Sequence, residues 1–281
     1  MPELPEVETV RRGLNRVTCH QAIQGGQVLL PRSIAYPDSA EQFLRGINQT
    51  QILQWQRRGK YLLAQLVGPA GASAGWLGVH LRMTGQLLWL PATEPVTKHC
   101  RVRLTVGERE LRFVDQRTFG RLWWVPPDQL PEHIMTGLTR LGPEPFADAF
   151  SPAYLYKATR HRARPIKNAL LDQRLVAGIG NIYADESLFI SGIRPNTPSG
   201  RLGRSRLTQL HSAVQQVLTA SIEAGGTTFS DFRDVHGVNG NYGGVAWVYD
   251  RAGEPCRTCQ TPIQRIKLAG RSSHYCPNCQ H

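Results

Sequence analysis

Short apolar runs punctuate the first half of the chain, at residues 51–56, 61–67, 76–81, 86–90, 101–106, 110–114 and 121–125. Each is rich in Leu, Val or Trp, and Gly, Pro or charged turns separate them. Such punctuation reads as a succession of β-strands, and many short strands in series fold into a sandwich or barrel. A helix precedes them. Val7, Val10 and Leu14 are spaced for one helical face and Pro5 suits a helix start, while Gly13 interrupts the pattern. Around residues 126–145 the texture becomes a Pro-rich connector, VPPDQLPEHIMTGLTRLGPEP, the pattern of a hinge.

Beyond it, residues 152–159, 166–172, 182–191 and 204–224 carry helical patterning. The last is the clearest: Leu207, Leu210, Val214, Val217 and Leu218 share a face, and Gly225 and Gly226 stop it. Residues 237–244, GVNGNYGG, are too glycine-rich to specify an element, and no internal repeat is visible. The domains expected are a sandwich over 1–126, a linker over 127–150, a helical domain over 151–244 and a terminal module over 245–281.

Cysteines define that module. Cys256-x-x-Cys259 and Cys276-x-x-Cys279 are separated by sixteen residues, the spacing of two knuckles offering four thiolates to one tetrahedral zinc. Four protein ligands leave no open position for water, so the zinc expected is structural, with no catalytic metal or organic cofactor beside it. Between the knuckles Arg265, Lys267 and Arg271 alternate with Ile266 and Leu268, a β-hairpin with a basic face, and Arg271 leads as a phosphate contact. Cys19 and Cys100 read as small buried residues.

Charge then narrows the class. Lys plus Arg number 33 against 21 acids, a net +12, which matches a polyanionic partner, most commonly nucleic acid. No stretch approaches the roughly 20 apolar residues of a membrane span. The first residues carry acids and prolines where a signal peptide would be basic and then apolar. A cytoplasmic, nucleoid-associated protein without a membrane partner is expected. No heptad seam is present, so a monomer is expected too.

The N-terminus carries candidate chemistry. Removal of Met1 would leave Pro2 as a free secondary amine followed by Glu3. An α-amino group titrates near 8, so part of it is neutral and nucleophilic at neutral pH. Attack on the anomeric carbon of a sugar, with ring opening, gives an iminium, an electron sink that favours loss of phosphate from the neighbouring carbons. Glu3 is placed to move the protons, and Glu6 is a second nearby carboxylate.

The opening string MPELPEVETVRRGL resembles that of bacterial formamidopyrimidine-DNA glycosylases. So, in the same order, do RRGKYLL, HLRMTGQL, DQRTFGR, LLDQRLVAGIGNIYADESLF and the terminal GEPCRTC…AGRSSHYCPNC, so that the likeness spans essentially the whole chain. The resemblance implies an α+β protein: an N-terminal β-sandwich with a short helix, a helical domain with a helix–two-turn–helix motif, and a zinc β-hairpin finger, with DNA in the cleft between domains. It implies Pro2 as nucleophile, Glu3 as proton donor and acceptor, and Lys60 as a phosphate ligand beside the lesion. Met83, Arg117 and Phe119 would enter the helix where the damaged nucleotide has left. Asn181 and Arg271 would hold phosphates, with His99 and Lys167 as further DNA contacts.

Physical chemistry is consistent with these roles. A base in a duplex hides its glycosidic bond and must be rotated out at a cost of a few kcal/mol. Met83 and Phe119 are shaped to fill the vacated stack, and Arg117 can donate to the orphaned base, for which the O2 and N3 acceptors of cytosine suit it. GIGN at 178–181 lies between helices, which excludes a Rossmann turn and makes Asn181 an expected N-cap. The substrate expected is duplex DNA with an oxidised purine (8-oxoguanine opposite cytosine, or a formamidopyrimidine), cut by β,δ-elimination after base release. Leu4 and DQRTFG favour it over the oxidised pyrimidines of an endonuclease VIII-type enzyme. A non-catalytic DNA-binding protein would have lost Pro2 or Glu3. Thr118 and Ser230 stand where relatives place basic residues, departures that bear on lesion preference.

Overall fold

Glu3 and Pro5 start the first helix, α1 (Leu4–Thr18). Glu3 is its extended N-cap, Pro5 lies in the first turn, and Glu3 and Glu6 form a reciprocal capping box. Val7, Val10 and Leu14 are fully buried on one face. The interruption at Gly13 has a packing reason: a Cβ there would lie 2.7 Å from the Val235 side chain.

The computed structural model describes residues 1–227 and 233–281, so Ser230 lies outside the described residues. The chain divides into two compact units, residues 1–139 with 224–241, and residues 140–223 with 242–281.

In the first unit α1 is followed by β1 (Ala22–Ile23), β2 (Gly25–Val28), β3 (Ile34–Tyr36) and α2 (Ala40–Ile47). The strands β4 (Thr50–Arg58), β5 (Tyr61–Val67), β6 (Ser73–His80), β7 (Gly85–Pro91), β8 (Cys100–Val106), β9 (Arg109–Asp115) and β10 (Arg121–Val125) come next, then the short helix α3 (Pro131–Ile134). Among the described residues these strands form a six-stranded sheet, β1-β4-β5-β6-β10-β3, and a four-stranded sheet, β2-β8-β9-β7. One apolar core draws on both, with Ile52, Leu62 and Val79 from the first sheet and Leu87, Val102 and Phe113 from the second. Burial alternates residue by residue along β7 and β8, as strands covered on one face require. This is the expected sandwich.

The early strands and α2 were not legible from periodicity. Residues 224–241, read in the sequence as part of the helical region, belong by contact to the first unit: Trp89 donates its N–H to the Val235 carbonyl at 2.8 Å.

The second unit contains α4 (Pro152–Thr159), α5 (Ile166–Leu170), α6 (Asn181–Ile190), α7 (Arg204–Glu223), and the hairpin β11 (Gln264–Leu268) with β12 (Arg271–Tyr275). The apolar face expected on α7 is buried throughout. Helix α6 is buried on nearly all sides, and its two acids organise the chain around it. The Glu186 carboxylate accepts the N–H groups of Trp247, Val248 and Tyr249 at 2.8–2.9 Å. Asp185 accepts from the Ser273 hydroxyl and the His274 N–H, both at 2.9 Å, and so ties α6 to β12. A 3-10 turn forms at Tyr242–Val245, across the end of the glycine-rich stretch. Cys100 is buried as expected, whereas Cys19 is only half-buried. Among the described residues no helix is long and apolar enough to cross a membrane.

Candidate active site and nucleic-acid contacts

In the first unit the start of α1 gathers charge around the terminal amine. Glu3 N–H donates to Glu6 Oε2 at 2.8 Å, and Glu6 Oε1 accepts the Thr227 N–H at 3.0 Å, so one buried carboxylate joins the N-terminus to the returning segment. The Met1 amine is held below its ordinary value by burial. Glu3 and Glu6 oppose that shift, and the positive charges of Lys60 and Arg117 add to it. Pro2, Glu3 and Lys60 are all buried. Three sequence-nominated residues, Glu3, Lys60 and Arg117, thus act electrostatically on one amine.

Two loops carry the candidate wedge. Asp115, 1 % exposed, accepts from the Thr84 hydroxyl at 2.5 Å and the Gly120 N–H at 2.7 Å, while Thr84 Oγ1 accepts the Arg117 N–H at 3.0 Å. Met83, Arg117 and Phe119 therefore stand on loops fastened to one buried carboxylate. Phe119 is 49 % exposed, unusual for a large apolar side chain, and the Arg117 guanidinium lies over its ring at 5.1 Å. Arg82 and Thr118, each next to a wedge residue, have φ of 55° and 59°, strained for residues with a Cβ. His99 lies at the base of the same loop, where its carbonyl accepts the Asp115 N–H at 2.9 Å.

His80 and Arg82 belong to the HLRMTGQL string, yet the sequence alone did not nominate them. Burial pushes His80 down to about 3, with Arg82 and Lys60 adding to the shift, so the ring is neutral. Its Nδ1 accepts the Arg82 N–H at 3.0 Å. The sequence carried no signal for them beyond their place in that string, because the left-handed turn at Arg82 shows only in the structure.

In the second unit the four cysteines converge. Their sulfurs all lie within 4.8 Å of one another, with pairs at 3.4, 3.5 and 3.9 Å. Zinc–sulfur bonds of about 2.3 Å in a tetrahedron imply sulfur–sulfur edges near 3.8 Å, so the donor set fits one structural zinc. The second knuckle is clamped from outside: Arg194 donates to the Gln280 and Pro277 carbonyls at 2.8 and 2.9 Å. Arg265, Lys267 and Arg271 are exposed on the hairpin.

Two expectations are corrected here. Asn181 is not the N-cap of α6; Gly180 holds that position, and Asn181 is the first helical residue, with a buried Oδ1 that has no hydrogen-bond partner. Lys167 is not available to DNA. Its side chain is 1 % exposed, and its ammonium lies 2.7 Å from Asp185 and 2.6 Å from the Ser272 carbonyl. Helical spacing gave the element but not the face. Arg162 and Arg174 are exposed instead, on the wall of a cavity of about 570 Å³.

A strand sandwich, a helical unit and a four-cysteine finger, in this order along one chain, define a zinc-finger protein of α+β class. Matches to family models follow that order: the formamidopyrimidine-DNA glycosylase N-terminal domain over residues 1–122, its H2TH domain over 141–233, and a zinc finger found in FPG and IleRS over 253–281. The chain belongs to the formamidopyrimidine-DNA glycosylase family. It is 60% identical over 281 residues to a formamidopyrimidine-DNA glycosylase of Acaryochloris marina, covering 100% of this chain and 99% of that protein. A Synechococcus relative of the same name is 63% identical with the same coverage. Among solved structures, a Lactococcus lactis FPG mutant bound to Fapy-dG-containing DNA superposes with a TM-score of 0.91 at 33% identity, over 100% of both chains. The L. lactis protein with abasic-site DNA gives 0.89 at 33% identity over 99% of each.

Proposed function

We propose that this protein is a base-excision DNA glycosylase that releases oxidised purines and then cuts the strand as an AP lyase. The observation that carries the reading is the terminal amine, half-buried and held below its ordinary value among Glu3, Glu6, Lys60 and Arg117. Lowering an amine's pKa enlarges its neutral, nucleophilic fraction at neutral pH. Removal of Met1 hands this role to Pro2.

In the reading we favour, the Pro2 nitrogen attacks C1′ of the extruded nucleotide and the base departs. The sugar ring opens to an iminium as Glu3 supplies a proton to the ring oxygen. Glu3 then removes a proton from C2′, and the 3′ phosphate leaves; a second elimination releases the 5′ phosphate. Lys60 holds a phosphate beside the lesion. Met83 and Phe119 fill the gap in the stack, and Arg117 donates to the orphaned cytosine. His99, Asn181 and Arg271 contact the backbone, and the amide end of α6 adds donors for a phosphate. The protein acts as a monomer.

Borohydride trapping on a duplex with 8-oxoguanine opposite cytosine tests this. A covalent adduct mapping to Pro2 is expected, and a chain that retains Met1 should bind the duplex without forming it. No adduct, or one mapping to Lys60, would sink the mechanism. A preference for oxidised pyrimidines is the second reading, favoured by the L. lactis protein, whose structure with an oxidised pyrimidine containing DNA superposes at a TM-score of 0.89. Faster release of thymine glycol than of 8-oxoguanine would select it.

A further inference from the structure

We infer that Glu8 and Arg57 are positioning residues for Lys60, coupling the helix that carries Glu3 to the turn that presents the lysine. The inference rests on the reading of Lys60 and the terminal amine proposed above.

Helix α1 is fastened to β4 at several points. Toward its C-terminal end, Asn15 behaves like a strand neighbour: its Nδ2 donates to the Trp55 carbonyl at 3.0 Å and its Oδ1 accepts the Trp55 N–H at 2.7 Å. The Trp55 indole N–H donates to Thr18 Oγ1 at 2.9 Å. Nearer the amine the fastening is different. Arg57 Nε donates to Glu8 Oε2 at 3.2 Å, and its Nη1 donates to the Gly59 carbonyl at 3.0 Å. One planar guanidinium therefore holds a helix side chain and a turn carbonyl at the same time, in the fixed mutual geometry that its rigid fork imposes.

The held carbonyl matters because Lys60 is the next residue in the chain. The carbonyl of Gly59 and the N–H of Lys60 lie in one peptide plane. Gly59 has φ +56°, a left-handed conformation open to glycine. Tethering its oxygen fixes that plane and so the direction in which the chain enters Lys60. At the other end Glu8 is itself tightly held: Arg11 donates to both carboxylate oxygens, at 2.9 and 2.7 Å, and Arg12 to one at 2.9 Å. Burial raises the Glu8 pKa, but these donors and the nearby Arg57 charge outweigh it and hold the carboxyl at about 2. The lock keeps its charge at any pH where the enzyme works. Arg57 and Glu8 side chains are each only 11% exposed, so solvent does not screen the pair as it would a surface bridge.

The test is single-turnover cutting of a duplex containing 8-oxoguanine opposite cytosine, with binding to the same duplex measured in parallel. Arg57→Ala should lower the rate constant about tenfold and change Kd by less than about twofold, because misplacement of a held group acts on the reaction more than on association. Arg57→Lys keeps a positive charge beside Glu8 but lacks the planar fork that sets the direction of the Gly59 carbonyl, so it should stay slow; a merely structural pair would be rescued. Glu8→Gln should also slow the reaction, and the double variant should be no slower than Arg57→Ala. A parent-like rate in Arg57→Lys, or in Arg57→Ala at equal folded fraction, overturns the inference. Should Arg57→Ala fail to fold, Glu8→Gln and Arg57→Lys decide it: slow cutting at unchanged Kd supports the coupling, and parent-like rates in both overturn it. Lys60→Ala separates the two levels. If it cuts at the parent rate, the assignment of Lys60 fails; if it is slow while the Arg57 variants are not, only the coupling fails.

Discussion

Lys167 illustrates how burial reassigns a residue that its letter and neighbourhood make look functional. Its ammonium and the Asp185 carboxylate lie 2.7 Å apart with almost no solvent access, and Asp185 also organises β12. Taking away one partner of such a pair strands the other charge, at a cost of about 3–5 kcal/mol. Lys167→Met should lower the denaturant midpoint accordingly and leave the salt dependence of DNA binding unchanged. A reduced salt slope with parent stability would restore it as a phosphate contact. At this scale the sequence displayed the chemistry but not the directions. Glu3, Glu6 and Glu8 all stand in MPELPEVE, yet their roles depend on partners such as Thr227 and Arg57, 221 and 49 positions away. Only the cysteines were legible outright, because a four-thiolate site needs little beyond its own spacing.

Between residues and units lie the loops and short elements. The loops bearing Met83 and Phe119 owe their shape to Asp115, which gathers the Thr84 hydroxyl and the Gly120 N–H. Asp115→Ala should free both loops, leaving two donors without their acceptor at roughly 1–3 kcal/mol each. Lesion-duplex affinity should fall more than affinity for undamaged DNA, as competition binding would report; equal losses would argue against a wedge role. The strands from β4 to β10 and the helices α1, α4 and α7 were readable because each has enough residues to show a period. β1 and β3 have 2 and 3 residues, too few for alternation to register. α2 is 8 residues long, and its clearest mark was local: Ser39, whose hydroxyl accepts the Gln42 N–H at 3.3 Å, is an N-cap. The hydroxyl-to-amide spacing from Ser39 to Gln42 was visible in the sequence, and length was no bar, since α4 has the same 8 residues; α2 had only two buried apolar positions, Phe43 and Ile47, to mark its face.

For the molecule as a whole, metal and topology decide what can be removed. A structural zinc site supplies on the order of 10 kcal/mol to a module this small. Chelation should unfold the finger, expose four titratable thiols and abolish binding to any duplex, with recovery on adding zinc. Parent affinity in the zinc-free protein would show that Arg271 and its hairpin contribute nothing to DNA binding. Topology acts differently. The first unit is not continuous in sequence, because residues 224–241 return to it after more than eighty residues of the second. Val235 belongs to its core, seated against Gly13, and Thr227 completes the coordination of Glu6. A ribosome making this chain releases most of the sandwich long before the piece that closes it. The start of α1 can therefore take its final surroundings only after synthesis has passed residue 241, so the growing chain completes the setting of its terminal amine late, and an expression fragment ending at 139 should emerge with an open seam and, on the function proposed above, no cutting activity.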